Sequence, residues 1–222
     1  MKRTCSNPVC LFLLFFLLFP SCREEYTPKP YGYFRIDFPE KRYTLLDEPL
    51  PYRSAVATEA RVVYDTSPEA EPYWIDIVYP DYKAVINISY KEIVSDTSLE
   101  VFLQDNHRLV YAHTGKAEAI NEWPLVRKEE DTPVLGILYL IEGNAASPAQ
   151  FFVTDSVRHF LRGSLYFESR PNKDSLAPVV EYLKKDIIEL MESVRFESKK
   201  GSGLYRESIT KKKQYLEAPV RR

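Results

Sequence analysis

Cysteine is scarce in this sequence: there are three, at positions 5, 10 and 22. None follows residue 22, so the rest of the chain has no disulfide framework and no Cys-based zinc site. Glycine is also sparse, at seven residues. No Gly-rich phosphate loop is present, and Gly201-Ser202-Gly203 has no strand before it. The three histidines form no His-Glu-x-x-His motif, and there is neither an EF-hand pattern nor a Gly-x-Ser-x-Gly elbow. His107 and His113 stand six residues apart, nearly opposite one another around a helix, so they read as separate polar-face or capping residues rather than a joint metal site. A hydrolytic combination can be assembled on paper from His159, Asp155 and either Ser156 or Ser164. A chain of this length offers such sets by composition alone, and His159-Phe160-Leu161-Arg162 reads as structural. Glu129 and Glu130 read as solvated turn carboxylates rather than a glycosidase pair. These absences predict no enzyme and no cofactor.

One long apolar run is present, and it stands at the start. Lys2 and Arg3 precede Val9–Pro20, which is almost wholly Leu and Phe. A membrane-spanning helix needs about 20 such residues, so this run has the proportions of an export signal instead. It ends in Phe19-Pro20-Ser21-Cys22. A small residue directly before Cys22 resembles a bacterial lipoprotein signal, in which lipid (palmitate among its acyl chains) is joined to the Cys sulfur and cleavage leaves Cys22 first. Phe19 departs from that pattern, which usually has Leu there. The readings set beside it are plain secretion with an incidental Cys, or a retained anchor. Cleavage leaves 201 residues, enough for one domain with its own core.

The formal charge is −2, but it is unevenly spread. Lys199–Arg222 carries eight Lys/Arg against two Glu, a local +6, and the rest of the exported chain is correspondingly acidic. An acidic body excludes nucleic acid as the expected partner. The basic tail suits an anionic membrane surface, an acidic partner, or simple solvation.

Four segments follow: a signal at 1–21, a Pro-containing tether at 22–32, one domain at 33–198 and a basic tail at 199–222. Alternation predicts strands at Gly32–Pro39, Ala60–Tyr64, Tyr73–Tyr79 and Lys83–Tyr90, the last two forming a hairpin. Residues 40–58 read as a wrapping loop pegged by Tyr43 and Tyr52. Trp74 faces away from Ile75 and Ile77, where a helix would cover it. Ser98 is the expected cap of a helix reaching about residue 119, in a unit ended by Trp123-Pro124. Val134–Glu142 is apolar throughout and reads as a central strand buried on both faces. Ala149–Asp155 and Leu161–Glu168 complete a meander. The clearest helix has Ser175 as its expected cap and Pro178 in its first turn. Leu176, Val179, Val180, Leu183, Ile187, Leu190, Met191 and Val194 form its apolar stripe. The class is α+β, an antiparallel sheet with packed helices.

Tyrosine (16) and phenylalanine (12) are abundant. Tyr26, Tyr31 and Tyr33, with Tyr205 and Tyr215, offer an interaction surface, or else they are strand filler; both readings stay open. Asn87-Ile88-Ser89 matches a glycosylation triplet inside a predicted strand and reads as silent. Asp155-Ser156-Val157 and Asp174-Ser175-Leu176 resemble sites at which Bacteroidota attach O-glycans, with Ser156 the better candidate because Ser175 is the expected cap.

Two stretches carry a likeness over nearly the whole exported chain. The first is Cys22 followed by Tyr26-Thr27-Pro28-Lys29-Pro30-Tyr31-Gly32-Tyr33-Phe34-Arg35-Ile36-Asp37-Phe38-Pro39. The second is Phe160–Phe167 leading into Pro171-Asn172-Lys173-Asp174-Ser175-Leu176-Ala177-Pro178. Together they resemble the GldD family of gliding-motility lipoproteins of Bacteroidota. The resemblance implies a non-enzymatic accessory component of the gliding and type IX secretion machinery. It would be lipid-anchored in an envelope membrane, facing the periplasm, with other proteins of that apparatus as partners. The hairpins and final helix also look distantly like the PsbP/Mog1 α/β/α sandwich, an analogy of fold only. The competing reading is a periplasmic glycan- or small-ligand-binding lipoprotein, which requires an aromatic-lined pocket.

Overall fold

The computed structural model describes residues 36–127, 133–169 and 172–197. Eleven strands and two α-helices occur among them. The strands are β1 (Tyr43–Leu45), β2 (Tyr52–Arg53), β3 (Ala55–Ala57), β4 (Arg61–Tyr64), β5 (Ile75–Tyr79), β6 (Ala84–Glu92), β7 (Ala117–Arg127), β8 (Val134–Gly143), β9 (Ala149–Thr154), β10 (His159–Phe167) and β11 (Arg195–Phe196). The helices are α1 (Asp96–Tyr111) and α2 (Lys173–Ser193).

Seven strands form one sheet in the order β4-β5-β6-β10-β9-β8-β7. Every neighbouring pair is antiparallel. Two meanders, β4–β6 and β7–β10, meet along the β6–β10 seam, where His159 pairs with Glu92 and Phe167 with Ala84. Two small ribbons, β1–β3 and β2–β11, flank it. The α+β class expected from the pattern is the class observed.

Strand periodicity assigns the two faces. One carries Ile75, Ile77, Ile86, Ile88, Leu138, Phe151, Val153, Leu161 and Leu165, which pack against Val179, Leu183, Ile187, Leu190 and Met191 of α2. The other carries Tyr139, Ile141, Phe152 and Phe160, packed with Val110 and, more peripherally, Leu99 and Phe102 of α1. The sheet is thus covered by one helix on each side. At Gly163 an added Cβ would stand 2.1 Å from ring carbons of Phe151. A strand glycine here marks a close approach by an aromatic ring.

Several local expectations are corrected. Of the strand expected over Gly32–Pro39, residues 36–39 are not in a strand, and 32–35 lie outside the described residues. The 40–58 segment is not a simple loop but contributes β1, β2 and β3, with Tyr52 fully buried. β5 starts at Ile75 rather than Tyr73, because Tyr73 has φ 73°, a left-handed conformation that ends an extended run. The helix after β6 ends at Tyr111, not near 119, and β7 follows. Trp123 and Pro124 lie inside that strand; β7 is an edge, where a residue without an N–H is tolerated. β8 is not central but next to that edge, and β10 holds the middle position.

Both helix caps lie three residues before the expected ones. Ser95 Oγ accepts from Ser98 N at 3.2 Å, and Asn172 Oδ1 accepts from Ser175 N at 3.3 Å. Both cap residues have extended backbones, as an N-cap requires. Pro178 is therefore in the second turn rather than the first, and it lacks the N–H that would bond the Asp174 carbonyl.

Candidate functional site

Helix α2 organises the polar features of its face, because three different parts of the chain are fastened along it. Its 3.6-residue period places Tyr182, Leu183, Asp186, Ile187 and Leu190 inward. Asp186 is a carboxylate in that apolar stripe. Its Oδ2 accepts from Lys41 Nζ at 2.7 Å and its Oδ1 from the Tyr43 hydroxyl at 3.0 Å. Lys41 Nζ also lies 3.0 Å from the centroid of the Tyr182 ring, a cation–π contact, and 3.5 Å from Glu59 Oε1. Burial, and then the neighbouring Asp186 carboxylate, push the Tyr43 and Tyr79 hydroxyls well above the usual tyrosine range. Both therefore stay protonated and can donate. Beside this network Phe38 stacks on Tyr182 at 4.3 Å, and the Tyr182 hydroxyl donates to the Pro39 carbonyl at 3.1 Å. The entering chain is thus held to α2 by its first described residues.

The C-terminal end of α2 is capped from elsewhere. Ser54 Oγ donates to the Leu190 carbonyl at 3.0 Å, and Ser193 Oγ accepts from Ala55 N at 2.8 Å. The Arg127 guanidinium, from the end of β7, donates to the Glu192 and Val194 carbonyls. A cation at the negative end of the helix dipole complements these carbonyls.

The N-terminal end of α2 borders a cleft of about 340 Å³. Leu140, Ala145, Phe167 and Leu176 supply apolar walls, and Glu118, Glu142 and Glu181 bring carboxylates. Lys173 Nζ bonds Glu118, while Glu142 Oε1 accepts from Asn121 Nδ2 at 2.7 Å. Phe167 is the one aromatic ring in the lining among the described residues. The arrangement suits a small apolar or cationic group and does not resemble the aromatic platforms that stack sugars.

The residues around His159 are brought together, but as a turn. Asp155 Oδ1 accepts from the backbone N–H groups of Val157, Arg158 and His159 at 2.9–3.0 Å. This ties the β9–β10 turn, with Ser156 at its tip in a left-handed conformation of φ 61°. His159 Nδ1 lies 2.7 Å from the Tyr90 hydroxyl, and the ring stacks on Phe196 at 5.0 Å. Burial lowers the His159 pKa, a shift partly opposed by Asp155. Ser164, five residues along β10, points to the opposite face of the sheet, so it cannot serve His159. His107 stacks on Tyr111 at 4.2 Å on the outside of α1, and His113 lies beyond the helix end. No group of three His, Cys, Asp or Glu suited to a metal occurs among the described residues. Trp74 is half-buried and donates from Nε1 to the Tyr90 carbonyl at 3.1 Å, with Lys91 Nζ 6.0 Å from its ring.

Cys22, Tyr26, Tyr31, Tyr33, Glu129 and Glu130 lie outside the described residues. Ser156 is exposed, and Ser175 is half-buried in the first turn of α2. The Asp186 network was missed by sequence reasoning. Its signal was available: Asp186 stands four residues after Tyr182 and four before Leu190, on the buried stripe.

Fold and site together define an α+β sandwich domain whose polar clusters fasten its own elements and leave a shallow apolar cleft on its surface. The chain belongs to the gliding motility lipoprotein GldD family, whose model matches residues 23–196. As a member it is a non-enzymatic accessory lipoprotein of the gliding-motility and type IX secretion machinery, anchored in the cell envelope. No curated protein matches the sequence. Among solved structures it is similar to the solution structure of cyanobacterial PsbP (CyanoP) from Synechocystis sp. PCC 6803, at 15% identity. That likeness has a TM-score of 0.45 and covers 76% of this chain and 100% of the other.

Proposed function

We propose that the protein is lipidated on Cys22 Sγ and faces the periplasm, where its domain makes direct contacts with other proteins of the motility and secretion apparatus. The observation that carries this reading is where the family match begins. It starts at residue 23, directly after Cys22, and runs to residue 196, the end of β11. That span coincides with what would remain after cleavage at a lipoprotein signal, less the basic tail, and so supports the reading. In this reading residues 1–21 are removed, 22–32 form the tether, 33–198 are the working domain and 199–222 a basic extension. Tyr26, Tyr31 and Tyr33 offer contact area close to the membrane. Trp123 and Val126 on edge strand β7, with Leu135 beside Val126, add exposed apolar surface on the domain. Ser156 is the better of the two candidate O-glycan acceptors, since it is exposed at a turn tip whereas Ser175 is half-buried in a helix.

The alternative is a glycan- or small-ligand-binding lipoprotein. It draws support from the cleft at the start of α2, but a single ring there offers little for sugar stacking. Crosslinking and affinity capture from envelope membranes, comparing wild type with Cys22→Ala, separates the readings. The expected result is that wild type captures apparatus proteins, while Cys22→Ala moves to the soluble fraction and loses them. Retention of Cys22→Ala in the membrane with unchanged partners would overturn the proposal.

A further inference from the structure

The cleft at the start of α2 carries more negative charge than its surroundings offset. Glu118, Glu142, Asp174 and Glu181 line it against a single lysine, Lys173. Lys173 Nζ bonds Glu118, and Glu118 foremost, then Asp174 and Glu142, raise its pKa, so one ammonium faces three carboxylates. Glu181 bonds Lys184, which lies outside the lining. Among the described residues no salt bridge engages Glu142 or Asp174. The walls between these charges are apolar: Leu140, Phe167, Leu176 and Val180 are each half-buried there. A volume of about 340 Å³ is at the small end of the range for ligand sites, about 300–1,000 Å³, and seats a pair of side chains rather than an extended molecule.

The complement to this cleft lies in the same chain. Lys199–Arg222 carries eight Lys/Arg against two Glu, and within it Lys211-Lys212-Lys213-Gln214-Tyr215-Leu216 sets three ammonium groups just before two large apolar side chains. The distance is also compatible. The last described residues, β11 and Glu197, follow the C-terminal end of α2, whereas the cleft lies at its N-terminal end. A helix of 21 residues is about 30 Å long. With β11 added the path is about 30–40 Å, which about 9–12 extended residues cover. Counted from residue 198, that path is complete by residue 209, so Lys211–Leu216 falls within reach. Each exposed ion pair is weak on its own. A tethered segment, however, meets its site at an effective concentration on the order of millimolar, so modest complementarity is enough to fill it.

We propose that residues 211–216 of the basic tail dock in this cleft of the same molecule. Tyr215 and Leu216 lie against the apolar walls, and Lys211–Lys213 stand over Glu142 and Asp174, the carboxylates that no ion pair engages among the described residues. The family match ends at residue 196, so the tail lies outside the matched unit while the cleft lies within it. The tail is then a built-in occupant that covers the Leu140, Phe167 and Leu176 surface. Any other ligand of the cleft has to displace it.

The test is zero-length carbodiimide crosslinking of the full-length protein in detergent, as a mixture of unlabelled and isotope-labelled chains, read by peptide mass spectrometry. The expected products join Lys211, Lys212 or Lys213 to Glu142 or Asp174 within one chain. Raising the salt to about 0.5 M should lower their yield at least about threefold, because exposed charges are then screened. Tyr215→Ser with Leu216→Ser changes only the tail and leaves the domain intact; it should lower the yield at least about fivefold by removing the apolar contacts. Products that join labelled to unlabelled chains assign the cleft to the tail of a second copy and overturn the proposal. So do products spread over carboxylates all round the domain, the absence of tail products, or a yield that the double serine variant leaves unchanged.

Discussion

Replacing Asp186 by Ala should be among the most destabilising single changes in the domain, and its size can be worked from the structure. The side chains of Lys41 and Asp186 are 15% and 3% exposed, and their contact is 2.7 Å long. Solvent therefore screens the pair poorly. Removing the carboxylate leaves the Lys41 cation half-sequestered with the longer Glu59 contact and the Tyr182 ring, and strips the Tyr43 hydroxyl of its acceptor. Breaking a buried pair from one side costs about 3–5 kcal/mol. For a domain of this size that lowers the melting temperature by roughly 6–20 °C. The double variant Lys41→Met, Asp186→Leu removes both charges and keeps apolar volume, so it should lie close to wild type. Urea denaturation followed by circular dichroism, run as a double-mutant cycle, gives the coupling directly. A coupling above about 2 kcal/mol is expected. If Asp186→Ala costs less than about 1 kcal/mol, or if the two single changes simply add, the network is not what fastens the entering chain to α2.

Three further outcomes follow from the geometry. Gly163→Ala drives a methyl group into the Phe151 ring and should cost about 1–3 kcal/mol; Phe151→Leu in the same chain should recover part of it, and a larger joint loss would count against the contact. His159 and His113 are held below the ordinary histidine pKa of 6.5, so on acidification the unfolded chain takes up protons first. Stability is then full above about pH 6.5 and falls as pH drops through that value, which urea midpoints at pH 7.5 and 5.5 would show as a decrease and a flat profile would contradict. Arg127→Ala removes the cation over the last carbonyls of α2 and should cost about 1 kcal/mol, read as earlier amide exchange in the final turn of the helix than in its middle.

Much of this architecture was legible because its elements obey a single period. The stripe from Val179 to Val194 could only be a helix, and Ile75-Asp76-Ile77-Val78-Tyr79 could only alternate. Errors arose where two signals overlapped. Ala117 and Ile120 fit the helical spacing after Val110, yet Thr114-Gly115 turns the chain and the next residues pair with β8. Pro124 looked like an end because its tolerance on an edge depends on strand order, which no local pattern encodes. Strand order also explains the misplacement of β8: continuous apolarity reports two covered faces, not a central position. Of the candidate surfaces, Cys22 and the tyrosines near it are read from the sequence alone. The Asp186 carboxylate on a buried stripe was legible, but its partner Lys41 stands 145 residues away, and that separation leaves no mark in a linear pattern.

The β6–β10 seam has a consequence for how the chain reaches its destination. It pairs residues 84–92 with 159–167, and the face it creates is covered by a helix that ends at 193. In the periplasm-facing reading proposed above, the chain would cross the inner membrane N-terminus first, so the first meander would emerge before its partner. Until then β6 is an unpaired edge, and the Ile75, Ile77, Ile86 and Ile88 surface has nothing to bury against. Such non-local pairing folds slowly. The same wiring that makes the finished sheet continuous leaves β6 as an exposed edge until the second meander is available to cover it.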